Sequence, residues 1–210
     1  MSPEGNMKIV CTSDLHGHLP PIPECDLLIL AGDICPDYTN DWRQIDWLEA
    51  TLAPWLDAIP ADVIAVAGNH DRAFERIPHA IPDLRWTYLR DQSTTIDGVT
   101  IYGVPYILPI WGAFQRTEEQ LVQLYERIPP VDILVSHGPP YGIRDRVSSG
   151  ESVGSYALRD RARDIKPKCV VFGHIHPGYG VYEEDGVRYI NAALCNDAVQ
   201  PVNTPHTLEL

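Results

Sequence analysis

Five short apolar runs set the rhythm of the chain: "MKIVCTSD", "DLLILAGD", "DVIAVAGNHD", "DILVSHGPP" and "CVVFGHIH". Each holds four to six apolar residues, many of them β-branched, the pattern of a strand buried on both faces. Every run breaks into Asp, His, Asn or Gly, so polar residues gather at the C-terminal ends of strands. In open α/β sheets ligands bind at that edge. Residues 41–58 read as an amphipathic helix with a kink at Pro54. Residues 117–127 start at a Thr-x-x-Gln capping box, and residues 155–164 start at Ser155 and stop before Lys166-Pro167-Lys168. Two further segments read as hairpins, "TTIDGVTIYG" turning at Asp97-Gly98 and "GVYEEDGVRYIN" at Asp185-Gly186. With no repeat and no linker, the pattern predicts one α/β domain over residues 1–210, built on mixed sheet.

Composition narrows the class. A chain of 210 residues, 44% hydrophobic, can bury a full core and is not of disordered composition. The longest apolar run of the first half, Leu27 to Ala31, is far too short to span a bilayer, so no membrane partner is expected. The opening "MSPEGNMKIV" has neither a basic start nor an apolar signal core, and Met7 offers a second possible start. The five cysteines, at 11, 25, 35, 169 and 195, show no C-x-x-C spacing. They read as reduced, structural residues of a cytoplasmic protein. Cys35 is set apart because it lies two residues past Asp33. A net charge of −13 argues against a nucleic-acid partner, which needs a basic surface. It leaves a phosphate substrate open, because carboxylates gathered around divalent cations make a locally positive site.

The strand ends supply the candidate chemistry: Asp14-Leu15-His16, Gly32-Asp33, Gly68-Asn69-His70-Asp71, Ser136-His137-Gly138 and Gly173-His174-Ile175-His176. Asp14, His16, Asp33, Asn69, His137, His174 and His176 are ordinary ligands of first-row divalent metals. A carboxylate shared among them could hold two ions roughly 3.5–4 Å apart. Taken singly, each cluster has a bland reading. Asp-x-His is a common surface turn, Gly-Asp carries little information, and a lone histidine is usually half-buried and satisfied. Five such clusters, each closing an expected strand, are hard to explain structurally.

The order D-x-H, G-D, G-N-H-D, H, G-H-x-H resembles the calcineurin-like metallophosphoesterase superfamily, all five blocks being present between residues 14 and 176. "HGPPYGIRDR", "KPKCVVFGHIHPGYG", "YINAALCN" and "PVNTP" look like its subgroup of small metallophosphoesterase-domain-containing proteins, of cyclic nucleotide phosphodiesterase type. The resemblance implies an α/β fold, a four-layer αββα sandwich of mixed β-sheets with the metal site at the C-terminal ends of strands. It implies that Asp14, His16, Asp33 and His176 hold one ion. Asp33, Asn69, His137 and His174 would hold a second, with Asp33 bridging. Carboxylate and imidazole donors suit Mn²⁺, Fe or Zn²⁺. A hydroxide between the ions would be the nucleophile. His70, outside both ligand sets, would protonate the leaving alkoxide or stabilise phosphoryl charge. Asp71 would either orient His70 or cap the segment after it.

Branches of the superfamily are separated by what is missing. "GDICPDYTN" and "GNHD" lack the Asp-Arg-Gly and Asn-His-Glu of the serine/threonine protein phosphatases. Pro36 stands where purple acid phosphatases carry a tyrosine ligand. The expected activity is hydrolysis of a small phosphodiester, with cyclic nucleotides suggested by the subgroup. The alternatives are a small-molecule phosphomonoesterase or a metal-binding interaction scaffold. Three features are further candidates for substrate contact. The 105–116 loop, with Trp111 and Phe114, would stack a base, pack over the sheet or form a homodimer contact. The 139–155 loop carries Arg144 and Arg146, which would meet a phosphate or stay solvated. His18 lies two residues beyond His16.

Overall fold

The apolar runs become strands because branched side chains suit a pleated, buried surface. A computed structural model describes residues 6–210; the expectation about the N-terminal segment falls mostly on residues 1–5, outside that range. Among the described residues no helix is long and apolar enough to cross a membrane. The strands are β1 (Lys8–Thr12), β2 (Leu27–Ala31), β3 (Asp62–Val66), β4 (Thr87–Tyr88), β5 (Gln92–Ile96) and β6 (Val99–Val104). They continue with β7 (Ile133–Ser136), β8 (Cys169–Phe172), β9 (Gly180–Glu184), β10 (Val187–Asn191) and β11 (His206–Glu209). The helices are α1 (Asp41–Trp47), α2 (Ala53–Asp57), α3 (Arg72–Arg76), α4 (Glu118–Tyr125) and α5 (Tyr156–Ile165).

Two mixed sheets form, in the orders β11-β1-β2-β3-β4 and β5-β6-β7-β8-β10-β9. The strands from β1 to β4 are parallel, with β11 antiparallel at one edge. In the second sheet β6, β7, β8 and β10 are parallel between antiparallel β5 and β9. Successive strand residues point to opposite faces, which sorts the core into layers. Ile9, Ile29 and Ile64 meet Ile101, Val135 and Val171 between the sheets. The alternate residues Val10, Leu28 and Ala65 cluster with Leu48, Leu52 and Leu56 of the helical segment 41–57, while Leu134 and Phe172 cluster with Leu121 and Leu158 of α4 and α5. Helix, sheet, sheet, helix is the expected sandwich. Each fully buried Leu or Ile contributes about 1.5–3 kcal/mol.

Local signals set the element ends. Thr117 accepts from the Gln120 N–H and Gln120 accepts from Thr117, closing the expected capping box of α4. Ser155 caps α5 through the Leu158 N–H, and Lys166 ends it in a left-handed conformation at φ 46°. Both hairpins turn with two positive φ values, 47° and 84° at Asp97-Gly98 and 53° and 82° at Asp185-Gly186, as a two-residue type I′ turn requires. At Pro54, where a kink is expected, the helix geometry changes. The chain stays helical from Asp41 to Asp57, with a π turn at Leu48–Leu52 that accommodates the proline. α3, β4 and β11 are too short and too polar to show a period.

Hydrogen bonds join the two sheets along one rim. Ser13 N–H donates to the Ala192 carbonyl at 2.9 Å, and the Leu194 N–H donates to the Ser13 carbonyl at 2.8 Å. β1, β2, β3, β7 and β8 therefore deliver their C-terminal ends to one place.

Candidate metal centre

Each strand end turns sharply as it leaves its sheet. Asp14, His16, Asp33 and His174 take positive φ, at 52°, 45°, 51° and 68°, a region that non-glycine residues seldom enter. Gly173 allows the fit: a Cβ there would overlap the Asp14 carboxylate and the Ser13 hydroxyl. A Cβ at Gly68 would overlap Asp33 and His137 in the same way. Both Asp14 oxygens accept from the His174 N–H, at 3.0 and 2.9 Å. Asp33 Oδ1 accepts from the His70 N–H at 2.7 Å.

Two donor groups result. Asp14, His16 and His176 form one and Asp33, His137 and His174 the other, with the ligand atoms of each group within 4.8 Å of one another. Three histidines are aimed by their Nδ1 edges: His16 contacts Asp37 Oδ1, His137 the Ala31 carbonyl and His176 the Asn196 carbonyl, each at 2.9 Å. With Nδ1 engaged, Nε2 is the atom each ring turns inward, as second partners commonly arrange for a metal-ligating histidine. His16 Nε2 and His176 Nε2 face each other at 3.4 Å, and Asp14 Oδ1 lies 3.3 Å from His176 Nε2. Two imidazole nitrogens converging beside a carboxylate make a donor set that fits a cation. In the second group Asp33 Oδ2 and Asn69 Oδ1 lie 3.2 and 3.1 Å from His137 Nε2.

The electrostatics draw positive charge inward. Burial opposes ionisation of Asp33, yet the neighbouring His137 charge holds its carboxyl far below the usual range. Burial likewise opposes a charge on His137, but Asp33 and then Asp14 bring its pKa up to about 9. His176 also stands at about 9, Asp14 outweighing its burial. His174 goes the other way: burial and then the His137 charge push it down to about 4, leaving a neutral ring at pH 7.

His70 sits beside these groups. It lines a cleft of about 230 Å³ with Asp33, Asn69, Trp111, His174 and His176. Its Nδ1 lies 2.5 Å from Asp37 Oδ1, the oxygen that also meets His16. His16, Asp37 and His70 themselves gather as a third group, but Asp37 stands on the Nδ1 edge of His16, away from His176. Asp37 hydrogen-bonds the His16 ring and lies in ionic contact with that of His70. Its residue type and position, four after Asp33 in a proline turn, carried no signal in the sequence. Gln44 was equally silent. Fully buried in α1, it donates to the His70 carbonyl at 2.6 Å and accepts from the Ala73 N–H at 2.9 Å.

Asp71 has neither of its expected roles. Its carboxylate accepts backbone N–H groups from Ile34, Cys35 and Gly68 at 2.8 to 3.1 Å, and α3 has no side-chain cap. It clamps the loop after β2 to the loop after β3. Cys35 contributes its backbone to that clamp, while burial and then the Asp71 charge push its thiol well up. Of the substrate-contact candidates, Trp111 reaches the site, its ring 5.0 Å from that of His70. His18 Nε2 bonds instead to the Val199 carbonyl at 3.1 Å, and Arg144 to the Val181 carbonyl at 2.7 Å.

Comparisons with known proteins agree with this arrangement. The profile of the calcineurin-like phosphoesterase family matches residues 7–178. Human metallophosphoesterase domain-containing protein 1 is 31% identical over 245 residues, covering 99% of this chain and 72% of the relative. A solved protein of Thermus thermophilus superposes with a TM-score of 0.60 at 16% identity, over 98% of this chain and 99% of that one. A dimetal phosphatase from Danio rerio does so with a TM-score of 0.56 at 12% identity, over 90% and 87%. At such identities the structural likeness speaks for the fold.

Proposed function

We propose, for a chain that belongs to the calcineurin-like phosphoesterase family and is thereby a metal-dependent phosphoric ester hydrolase, that its substrates are small phosphodiesters, cyclic nucleotides among them. The carrying observation is the pair of donor groups with imidazole nitrogens converging beside buried carboxylates. Asp14, His16, Asp33 and His176 would hold one divalent ion, and Asp33, Asn69, His137 and His174 the other. Manganese is the proposed ion, and iron and zinc suit the same donors. Bound there, the ions would supply Lewis acidity at a phosphoryl oxygen and lower the pKa of a water.

The chain's own residues do the rest. Water loses one proton to solvent as its oxygen adds to phosphorus in line with the departing ester oxygen, the P–O ester bond breaks, and the alkoxide needs a proton. His70 would give it: its Nδ1 lies 2.5 Å from Asp37 Oδ1 and the ring lines the cleft. Burial lowers the His70 pKa and Asp37 more than restores it, so the net shift is upward, toward the acid form. The Trp111 ring lies beside that imidazole, centroids 5.0 Å apart.

A substrate panel with added Mn²⁺ tests the reading. Aryl phosphodiesters and cyclic nucleotides should turn over faster than the corresponding monoesters, and elemental analysis should give two ions per chain. A monoester preference would overturn the substrate class, and saturation at one ion would overturn the binuclear site.

A further inference from the structure

The cleft beside the candidate ligands has a neighbour. Ile110 and His174 line the cleft, and both also line a second, larger cavity of about 680 Å³. That volume falls within the range of pockets that hold small organic ligands. Its walls come from the two loops whose roles the sequence left open, 105–116 and 139–155, together with α4 and the start of α5. Leu108, Leu121, Tyr125 and Val153 make them predominantly aliphatic and aromatic, with Tyr141 and Tyr156 stacked at one side, centroids 3.8 Å apart.

Two of the polar side chains in the wall, Glu118 and Ser155, are turned on one another. Glu118 Oε1 accepts from the Ser155 hydroxyl at 2.9 Å and the Ala157 N–H at 2.6 Å, and Ser155 Oγ accepts from the Leu158 N–H. Those bonds hold α4 to α5 and occupy both side chains. A carboxylate in the wall also disfavours a phosphate there, so the phosphoryl group stays with the histidines.

From the adjacency of the two spaces, which share Ile110 and His174 in their walls, and the character of those walls, we infer that the larger cavity receives an apolar alkyl or aryl ester group of the substrate, while its phosphate lies in the cleft. Calling the occupant an ester group rests on the phosphoesterase reading above. Affinity should then rise with chain length on the substituent, because each buried methylene strengthens binding roughly fourfold.

The test is calorimetric binding of methyl-, ethyl-, propyl- and butylphosphonate, none of which turns over, to the Mn²⁺-loaded protein. Affinity should climb about threefold to fourfold per methylene. In Val153→Asp, a substitution at a partly exposed position, the gradient should collapse while methylphosphonate binding and metal content stay unchanged. Ser152→Trp, which fills the cavity without a charge, should flatten the same gradient. A flat series in the unsubstituted protein overturns the inference. So does a nucleoside monophosphate that binds more tightly than butylphosphonate and loses that advantage in Val153→Asp, because the cavity would then hold a base. Aryl diester turnover is measured in parallel. No turnover with a preserved gradient would remove the phosphoesterase reading and keep the apolar site; turnover with a flat gradient would do the reverse.

Discussion

At the scale of single residues, the most informative side chain is Asp37, because one oxygen meets both His16 and His70. If His70 donates the proton to the leaving group, His70→Ala should keep both ions and lose about 10²–10⁴-fold in turnover of alkyl diesters. Activated aryl esters, whose leaving groups need little acid, should lose much less. Asp37→Asn removes the ionic hold on the imidazole and keeps its shape, so it should show the same leaving-group dependence in weaker form. Rates plotted against leaving-group pKa check this. Equal losses for alkyl and aryl esters would assign His70 to charge stabilisation.

At the scale of elements, the site is held by loops that are tied to one another more than to their own strands. Asp71 does most of this between β2 and β3, and both of its oxygens accept backbone N–H groups. Asn can accept at only one of those atoms, so Asp71→Asn leaves a buried N–H facing an amide N–H. That should cost about 2–3 kcal/mol, a fall in Tm of roughly 5–10 °C for a chain of this size, read by calorimetry with metal content measured alongside. An unchanged Tm would mean the loops are pinned by other contacts. The strands were legible because an unbroken β-branched run ending in a polar cluster has one reading in an α/β chain, and the caps because Thr117 and Ser155 act through local bonds. The clamp was not. "GNHDR" looks alike whether its last aspartate faces the histidine, the following helix or a loop more than thirty residues back, and only the packing of β2 against β3 decides. Gln44 was hidden for a similar reason, being one polar residue in a helix whose apolar stripe already explained its fold.

For the whole molecule the main consequence is coupling between metal and stability. Ions that bind only the folded chain stabilise it by mass action, about 2.7 kcal/mol at a hundredfold excess over Kd. With both sites filled, Mn²⁺ should therefore raise Tm by roughly 10–20 °C, about half from each ion, and a chelator should reverse it. His174 and His176 leave β8 together but face different donor groups, His176 with Asp14 and His16, His174 with Asp33 and His137. His174→Ala and His176→Ala should each retain one ion per chain by elemental analysis and about half of the thermal gain. Either variant found folded yet empty at both positions would contradict the division.

The left-handed turns at Asp14, His16, Asp33 and His174 bear on how this protein could change under selection. A non-glycine residue held there costs about 1–2 kcal/mol, so these are four places where a library screened for heat tolerance alone has stability to recover. The substitutions that recover it are Gly and, less completely, Asn. Gly at any of the four removes a candidate donor, and Asn at Asp14 or Asp33 removes a charge. Screens on melting temperature and screens on turnover should thus diverge first at these positions, and a thermostable descendant that keeps its activity will have gained its stability elsewhere.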